Sequence, residues 1–325
     1  MGDRAIPQLA NPEADAVGRD LAQRSTGRAD SWLQLASVGA ACRLHRTVRC
    51  PPDDASAHFQ LETNVKYDAG ASAYDRLTGR WSRLYAQAVL DAAGVSVGSV
   101  VLDLATGTGD AALLAGSRVQ MGGVAIGADI SIPMLRVARS KSNASNVAFL
   151  ASDAMTLPFR DKTFDAVICQ FGLMFFPNRR AALVEMRRLL RPGGRIALTV
   201  WGPPEMVSFA GIMAWALGSQ NPGLREELLL PFALADQTEL LRLLQSAGFR
   251  DSRVNREIRP VLFDSVLDFL APYEQGGGRL GQAFLQLSSD ARDVVRRDVT
   301  VELAKFTKGA KIAMDVHAYL ASGVA

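Results

Sequence analysis

The stretch VVLDLATGTGD at residues 100–110 decides the fold of this chain. Its first five residues are apolar apart from Asp103, which is typical of a strand buried on both faces of a parallel sheet. The turn TGTG follows at residues 106–109, and a helical pattern runs over residues 110–117. Glycines allow a backbone to turn sharply and to approach a ligand closely. The stretch therefore predicts a strand, a ligand-binding turn and a helix.

Short apolar runs separated by helical patterns follow this stretch. Alternation of this kind is typical of a parallel sheet covered by helices on both faces. Helical patterns also occur at residues 71–93 and 238–247. We therefore predict an α/β chain with a doubly wound, mostly parallel seven-stranded sheet, N-terminal helices and helical lid insertions. The strand candidates are residues 100–104, 124–130, 147–151, 164–169, 195–201, 253–263 and 310–319, with helices expected between the first five.

The chain divides into a lead and one domain. Residues 1–64 are rich in Ala, Arg and Asp, are broken by prolines and lack a sustained period, so this lead is expected to be poorly ordered. Residues 65–325 form the predicted domain. Its core is expected at residues 95–202, and the lid and the late strands at residues 203–325.

The composition is that of an ordinary globular protein, with 48% hydrophobic and 21% charged residues. The 36 basic and 33 acidic residues give a net charge of +3, which leaves no large surplus to neutralise a phosphate backbone, so no nucleic-acid partner is expected. The longest uncharged run, residues 206–224, contains Ser, Gly, Asn and Pro, which argues against stable membrane insertion. Three cysteines without CxxC spacing favour a reducing, cytoplasmic environment, and no metal site is predicted.

The glycine turn is compatible with more than one nucleotide cofactor. Gly107, Gly109 and Ala112 satisfy the GxGxxA pattern of dinucleotide-binding domains. Asp129 closes the second strand, where its carboxylate can accept hydrogen bonds from the ribose hydroxyls of either cofactor. After the third strand, the Asp153 carboxylate can accept from an adenine amino group. The turn by itself therefore leaves an NAD-dependent enzyme open.

Five motifs in order carry a family resemblance: VLDLATGTGD, AIGADIS, ASDAMTLPF, FDAVICQFGLMFF and RRLLRPGGRIALTVW. Together they resemble the class I S-adenosylmethionine-dependent methyltransferases over roughly residues 71–201. Within that superfamily the chain is most similar to the branch that contains the ubiquinone and menaquinone biosynthesis methyltransferases and many small-molecule methyltransferases. The resemblance implies a Rossmann-like fold and S-adenosyl-L-methionine as the cofactor.

The resemblance also implies a role for each residue at a matching motif. The backbone of the turn faces the methionine part of the cofactor, and Asp103 fixes the turn or meets the amino group. Asp129 holds the ribose and Asp153 meets the adenine, while Gln170 and Phe171 lie near the sulfonium. The residues expected to bind the cofactor are Tyr74, Asp103, Ala105, Thr106, Gly107, Gly109, Asp129, Ile130, Met134, Asp153, Ala154, Met155, Gln170 and Phe171.

Methyl transfer from a sulfonium requires alignment of donor and acceptor and exclusion of water, so no dedicated catalytic residue is predicted. The histidines, His45, His58 and His317, are interpreted as incidental. The position after the fourth strand reads QFGL (residues 170–173), not the Asn/Asp-Pro-Pro-aromatic motif of many enzymes that methylate nitrogen in nucleic acid or protein. The preferred acceptor atom is therefore oxygen or an activated carbon of a small molecule.

Two segments outside the minimal sheet, residues 205–231 and 265–306, are expected to lie over the crevice where doubly wound sheets bind ligands. Residues 206–218 are apolar almost all around, which predicts a buried lid helix, a wall of the pocket or a helix that associates transiently with a membrane. If this helix lines the pocket, the acceptor has a sizeable apolar or aromatic part.

Two other functions stay open at this point. An NAD-dependent Rossmann oxidoreductase is less favoured, because no Tyr-x-x-x-Lys pair follows the fourth strand. A non-catalytic S-adenosylmethionine-binding module is compatible with the motifs, because methyltransferases have no obligatory catalytic signature. The leading prediction is an enzyme that methylates a small molecule.

Overall fold

The computed structural model describes residues 70–141, 144–309 and 311–325. The predicted lead at residues 1–64, with His45 and His58, lies outside the described residues. So does residue 310, the first position of the last predicted strand.

A single mixed sheet forms the centre of the described part of the chain. Along the sheet the strand order is β3-β2-β1-β4-β5-β8-β6, and the two-residue strand β7 pairs with β8 beside this path. Neighbours from β3 to β5 are parallel, whereas β8 runs antiparallel to both β5 and β6. The prediction of a doubly wound, mostly parallel seven-stranded sheet is thereby confirmed. The strands are β1 (Val100–Leu104), β2 (Val124–Asp129), β3 (Val147–Ala151), β4 (Phe164–Gln170), β5 (Leu190–Trp201), β6 (Arg250–Phe263), β7 (Thr307–Lys308) and β8 (Lys311–Val324).

Helices precede the sheet and connect its strands. Further helices form the two segments predicted to cover the crevice, residues 205–231 and 265–306, which we call the lid. The predicted N-terminal pattern at residues 71–93 forms one continuous helix, α1. The α-helices are α1 (Ala71–Ala92), α2 (Asp110–Val119), α3 (Ile132–Ser140), α4 (Arg179–Leu189), α5 (Ser208–Gln220), α6 (Arg225–Leu229), α7 (Gln237–Ser246), α8 (Val266–Glu274), α9 (Gly278–Leu285) and α10 (Ser289–Leu303). Short 3₁₀ helices lie at Leu173–Phe175, Pro204–Met206, Pro222–Leu224, Leu230–Phe232 and Ala304–Phe306.

Two local predictions are wrong. No helix joins β3 to β4, because residues 152–163 form an irregular connection that contains Pro158 and buries Leu157 and Phe159 against the sheet. The fifth strand begins at Leu190 and not at residue 195 as predicted, so the glycine pair of the motif RRLLRPGGRIALTVW lies inside β5. There the register shifts from Phe164 opposite Leu190 to Ala166 opposite Arg195.

Alternate residues of the central strand face two different hydrophobic clusters, as the two-residue period of a strand requires. Val101 packs into the cluster that contains Ala112 and Ala115 of α2. Its neighbour Leu102 belongs to the cluster that contains Phe209 of α5 in the lid. The sheet is therefore buried on both faces, and its carboxyl edge opens between α1 and the lid.

Helix α1 is fixed firmly over this edge. Trp81 and Tyr85 are almost completely buried, and the Tyr85 hydroxyl donates a hydrogen bond to the Val316 carbonyl on β8 at 2.6 Å. Within the described ranges, no helix combines the length and the apolarity that crossing a bilayer requires.

Candidate functional site

A cavity of about 510 Å³ lies at the carboxyl ends of the parallel strands, between α1 and the lid. Its size is that of a typical small-molecule site, and its place is the crevice where doubly wound sheets bind ligands. Every predicted cofactor residue except Gly109 contributes to its lining. Those that do so are Tyr74, Asp103, Ala105, Thr106, Gly107, Asp129, Ile130, Met134, Asp153, Ala154, Met155, Gln170 and Phe171.

The two glycines of the turn have different surroundings. Gly107 has φ +54°, and a Cβ built on it would meet nothing within 4 Å, so this side of the turn is open. Gly109 has φ +86°, and a Cβ there would lie 2.7 Å from the Cβ of Ala138 on α3. Gly109 thus permits the start of α2 to pack closely, while Gly107 presents bare backbone to the cavity.

Two non-glycine residues at the cavity adopt left-handed backbone conformations. Ala105 follows β1 and Phe171 follows β4, each with φ 56°. The Phe171 amide donates a hydrogen bond to the Thr199 carbonyl at 3.0 Å, which helps to hold it in place. Strained residues of this kind cluster at binding and catalytic sites, because the surrounding structure must maintain them.

Asp103 is a buried carboxylate with one satisfied oxygen. Its Oδ2 accepts a hydrogen bond from the Thr106 hydroxyl at 2.6 Å, whereas Oδ1 has no partner among the described residues. Burial raises the pKa of Asp103 to about 7. A cationic ligand group beside Oδ1 would satisfy this oxygen and favour the charged carboxylate.

Asp129 and Asp153 organise the backbone around them. Asp129 accepts hydrogen bonds from the amides of Gly107 at 2.7 Å and Ser131 at 2.9 Å, one on each oxygen. Asp153 accepts from the Met155 amide at 2.8 Å. Each carboxylate oxygen has two lone pairs, so both groups retain the capacity to accept from ligand hydroxyl or amino groups. We call Asp103, Gly107, Asp129 and Asp153 the acidic edge.

A polar clamp ties the first turn of α1 to the glycine turn. The Thr108 hydroxyl donates to Asp75 at 2.6 Å, and Lys141 forms ion pairs with Asp75 and with Asp110, the latter at 3.0 Å. Ser82 of α1 also donates to Asp110 at 2.9 Å. No motif pointed to Lys141, because it follows α3 and is joined to the site only by the fold.

Aromatic side chains form the other half of the cavity. The rings of Phe171 and Trp201 are stacked with their centroids 3.7 Å apart, and those of Trp81 and Phe209 lie 4.0 Å apart. We call these four residues the aromatic wall. Phe209 lies on α5, so the apolar segment predicted as a lid helix or pocket wall is both buried and part of the lining.

Gln170 lies between the two halves. Its Nε2 donates to the Ser82 carbonyl at 3.0 Å, while its Oε1 is buried and has no hydrogen-bond partner among the described residues. The lid adds Tyr273 and Leu280 to the lining, for which the motifs gave no signal. His317 lies on β8 and does not belong to the lining.

The sequence of this chain is similar to those of known methyltransferases. Residues 65–215 match the family model described as the ubiE/COQ5 methyltransferase family. A demethylmenaquinone methyltransferase from Thermus thermophilus is 42% identical over 132 residues, which cover 40% of this chain and 58% of that protein. One from Corynebacterium kroppenstedtii is 33% identical over 200 residues, covering 57% of this chain and 84% of that protein. The chain thus spans somewhat more than half of the length of the first relative.

A solved structure shares the fold. Phosphoethanolamine N-methyltransferase 2 of Haemonchus contortus, in complex with phosphomonomethylethanolamine and S-adenosylhomocysteine, superposes with a TM-score of 0.52. It is 20% identical, and the match covers 81% of this chain and 59% of that chain. At this identity the likeness concerns the fold alone.

Proposed function

Because the chain belongs to the ubiE/COQ5 methyltransferase family, we propose that it transfers a methyl group from S-adenosylmethionine to a ring carbon of a small, quinol-like aromatic molecule. The two relatives are both named for methylation of demethylmenaquinone. The domain responsible spans residues 65–325. The near balance of charge in the chain supports a small-molecule acceptor over nucleic acid, and the three cysteines without CxxC spacing support a cytoplasmic enzyme.

One observation carries this proposal: a single cavity joins an acidic edge to an aromatic wall. The acidic edge offers carboxylates and open glycine backbone, which suit the polar parts of a nucleoside. The aromatic wall offers ring faces, which suit a flat apolar acceptor. The two halves meet at Phe171, where donor and acceptor would have to be aligned.

The residues of the acidic edge fit the cofactor. The unpaired Oδ1 of Asp103 and Oε1 of Gln170 are acceptors that suit a cationic amino group. Asp129 would hold the ribose hydroxyls and Asp153 the adenine amino group, with Met155 against the adenine ring. When bound, S-adenosylmethionine supplies a methyl group activated by a sulfonium.

The protein contributes alignment, exclusion of water and a favourable field. Phe171 and Trp201 present π faces that attract a neighbouring cation. Helix α1 and the lid both line the cavity, so donor and acceptor would be held between them in one orientation. An acceptor held against the aromatic wall would present the ring carbon that takes the methyl group and loses a proton, while the residues of the acidic edge would hold the donor in line with it.

The experiment supplies the protein with S-adenosylmethionine and an anaerobically reduced 1,4-naphthoquinol that carries a short prenyl chain at one ring position. Chromatography and mass spectrometry follow S-adenosylhomocysteine and the site of methylation. The proposal predicts equal amounts of S-adenosylhomocysteine and ring-methylated product. Methylation on oxygen would show that the acceptor atom is wrong, and tight binding of NAD instead of S-adenosylhomocysteine would show that the reaction class is wrong.

A further inference from the structure

Tyr273 is a fully buried lid residue whose hydroxyl is not satisfied by the protein. It lies on α8 and contributes to the cavity lining, and its Oη has no hydrogen-bond partner among the described residues. Tyr85 is equally buried, yet its hydroxyl donates to the Val316 carbonyl at 2.6 Å. Buried tyrosine hydroxyls usually have such a partner, because an unsatisfied buried polar group destabilises the fold. The unpaired hydroxyl of Tyr273 at the cavity is therefore unusual.

The position of Tyr273 is fixed by the backbone around it. The Ser265 hydroxyl caps the start of α8 by accepting from the Asp268 amide at 3.1 Å. At the other end, the Gly276 amide donates to the Tyr273 carbonyl at 2.9 Å and the Gly277 amide donates to the Pro272 carbonyl at 2.8 Å. The backbone that carries the ring is thus held at a defined helix end, and the ring itself packs against that of Phe269 with the centroids 5.6 Å apart.

A connected series of rings links Tyr273 with the aromatic wall. Centroids of successive rings lie between 4.0 and 6.5 Å apart, which are ordinary distances for packed aromatic pairs. The series is Tyr273, Phe269, Phe263, Trp81, Phe209 and Trp201. Tyr273 therefore belongs to the acceptor half of the cavity.

The chemistry of the hydroxyl also differs from that of the other unpaired groups. The unpaired atoms of Asp103 and Gln170 are oxygens that accept, whereas a phenol can donate. Burial raises the pKa of Tyr273 above its ordinary value of 10.0, so the hydroxyl keeps its proton at neutral pH. A protonated donor matches an oxygen atom on a ligand and is unsuited to act as a base.

We propose that Tyr273 positions the methyl acceptor by donating a hydrogen bond from its hydroxyl to an oxygen on the acceptor ring. This inference rests on the proposed function and deepens it, because it assigns to Tyr273 the recognition of an oxygen substituent of the quinol-like acceptor. The hydroxyl is left unsatisfied in the ligand-free protein, so that binding of such an acceptor gains this hydrogen bond.

The test compares Tyr273→Phe with wild type in the complex with S-adenosylhomocysteine. Calorimetry measures the affinity for 1,4-dihydroxynaphthalene, kept reduced, and for 1,4-dimethylnaphthalene, which replaces each hydroxyl by a group of similar size. Tyr273→Phe should weaken binding of the dihydroxy compound by about tenfold. It should leave the affinities for the dimethyl compound and for S-adenosylhomocysteine unchanged. Tyr319→Phe on β8, outside the cavity lining, serves as the matched control and should change none of these affinities.

A second readout separates positioning from a structural role. Since the substitution removes an unsatisfied buried hydroxyl, ligand-free Tyr273→Phe should unfold at the same denaturant concentration as wild type or at a higher one. A lower midpoint would reveal an internal partner and overturn the inference.

The binding results discriminate between the two levels of the proposal. If wild type and Tyr273→Phe bind 1,4-dihydroxynaphthalene equally, or if wild type does not bind it, the inference about Tyr273 is wrong. In that case binding of S-adenosylhomocysteine by wild type leaves the proposed reaction standing. Failure of wild type to bind S-adenosylhomocysteine would overturn both.

Discussion

The acidic edge and the aromatic wall face the same cavity, but they are built in different ways. The acidic edge is made of residues at or just after the carboxyl ends of β1, β2 and β3, and hydrogen bonds to carboxylates hold it, such as that from the Gly107 amide to Asp129. The aromatic wall combines α1, the residue after β4, the end of β5 and the lid, and ring packing holds it, as between Trp81 and Phe209. The acidic edge is therefore suited to bind one cofactor. The side chains of the aromatic wall can differ to suit another acceptor without disturbing the acidic edge.

The largest effect is expected where the acidic edge depends on close packing. Gly109→Ala should lower the free energy of unfolding by about 2–4 kcal/mol, because the new Cβ would lie 2.7 Å from that of Ala138 and the residue has φ +86°. Denaturant unfolding measures this. Gly193→Ala is the matched control: its φ is +80° but nothing lies within 4 Å of its Cβ, so only about 1 kcal/mol of backbone strain is expected. Equal losses in the two variants would contradict the packing role of Gly109.

A pair of substitutions tests whether the two halves act separately. Asp129→Asn should weaken binding of S-adenosylhomocysteine by about 10- to 100-fold, since hydrogen bonds to a charged group are worth about 1.5–3 kcal/mol. Phe209→Leu should leave that affinity unchanged and raise KM for the acceptor. Calorimetry and initial rates provide the two readouts. Loss of cofactor affinity in Phe209→Leu would show that the halves are not independent.

The acidic edge should also impose a pH dependence on stability. Burial raises the pKa of Asp103 from 3.8 to about 7, so its contribution to stability is fully present below pH 3.8 and is lost as the pH rises through 7. The free energy of unfolding of the ligand-free protein should fall by about 1 kcal/mol between pH 6 and pH 8. Asp103→Asn cannot ionise and should flatten this part of the profile. The same slope in both proteins would assign the effect to another group.

The smallest effect is expected at the clamp between α1 and the glycine turn. Lys141→Ala removes the ion pairs with Asp75 and Asp110 and should weaken S-adenosylhomocysteine binding by about 2- to 5-fold, the range of a partly exposed pair. Lys305→Ala, which breaks the exposed pair with Glu302, is the control and should have no effect. If both variants bind the ligand like wild type, the clamp does not help to hold α1 over the site.

The two halves of the cavity also differ in how well they can be predicted from the sequence. The family, predicted from five ordered motifs, is confirmed. The sheet is predicted well because its apolar strands alternate with helices. Gly107 lies in the turn after β1, and Asp129 is the last residue of β2. The predicted cofactor roles of these residues stay predictions that the substitutions above test.

Residues that reach the site through tertiary packing do not stand in a recognisable sequence motif. Trp81 and Tyr273 are distant in sequence and reach the cavity only because α1 and the lid fold around it. Lys141 reaches Asp75 of the clamp only because the end of α3 packs near α1. The prediction of a helix between β3 and β4 was wrong for a related reason. That connection is held by burial of Leu157 and Phe159, which a periodic pattern does not reveal.

The most direct test of the central claim is a crystal structure of the protein with S-adenosylhomocysteine. The proposed function predicts that the ribose hydroxyls contact Asp129, that the amino group lies beside Asp103, and that the sulfur faces Phe171 and the aromatic wall. A ligand outside this cavity, or a sulfur directed away from the aromatic wall, would contradict the claim that the two halves form one methyl-transfer site.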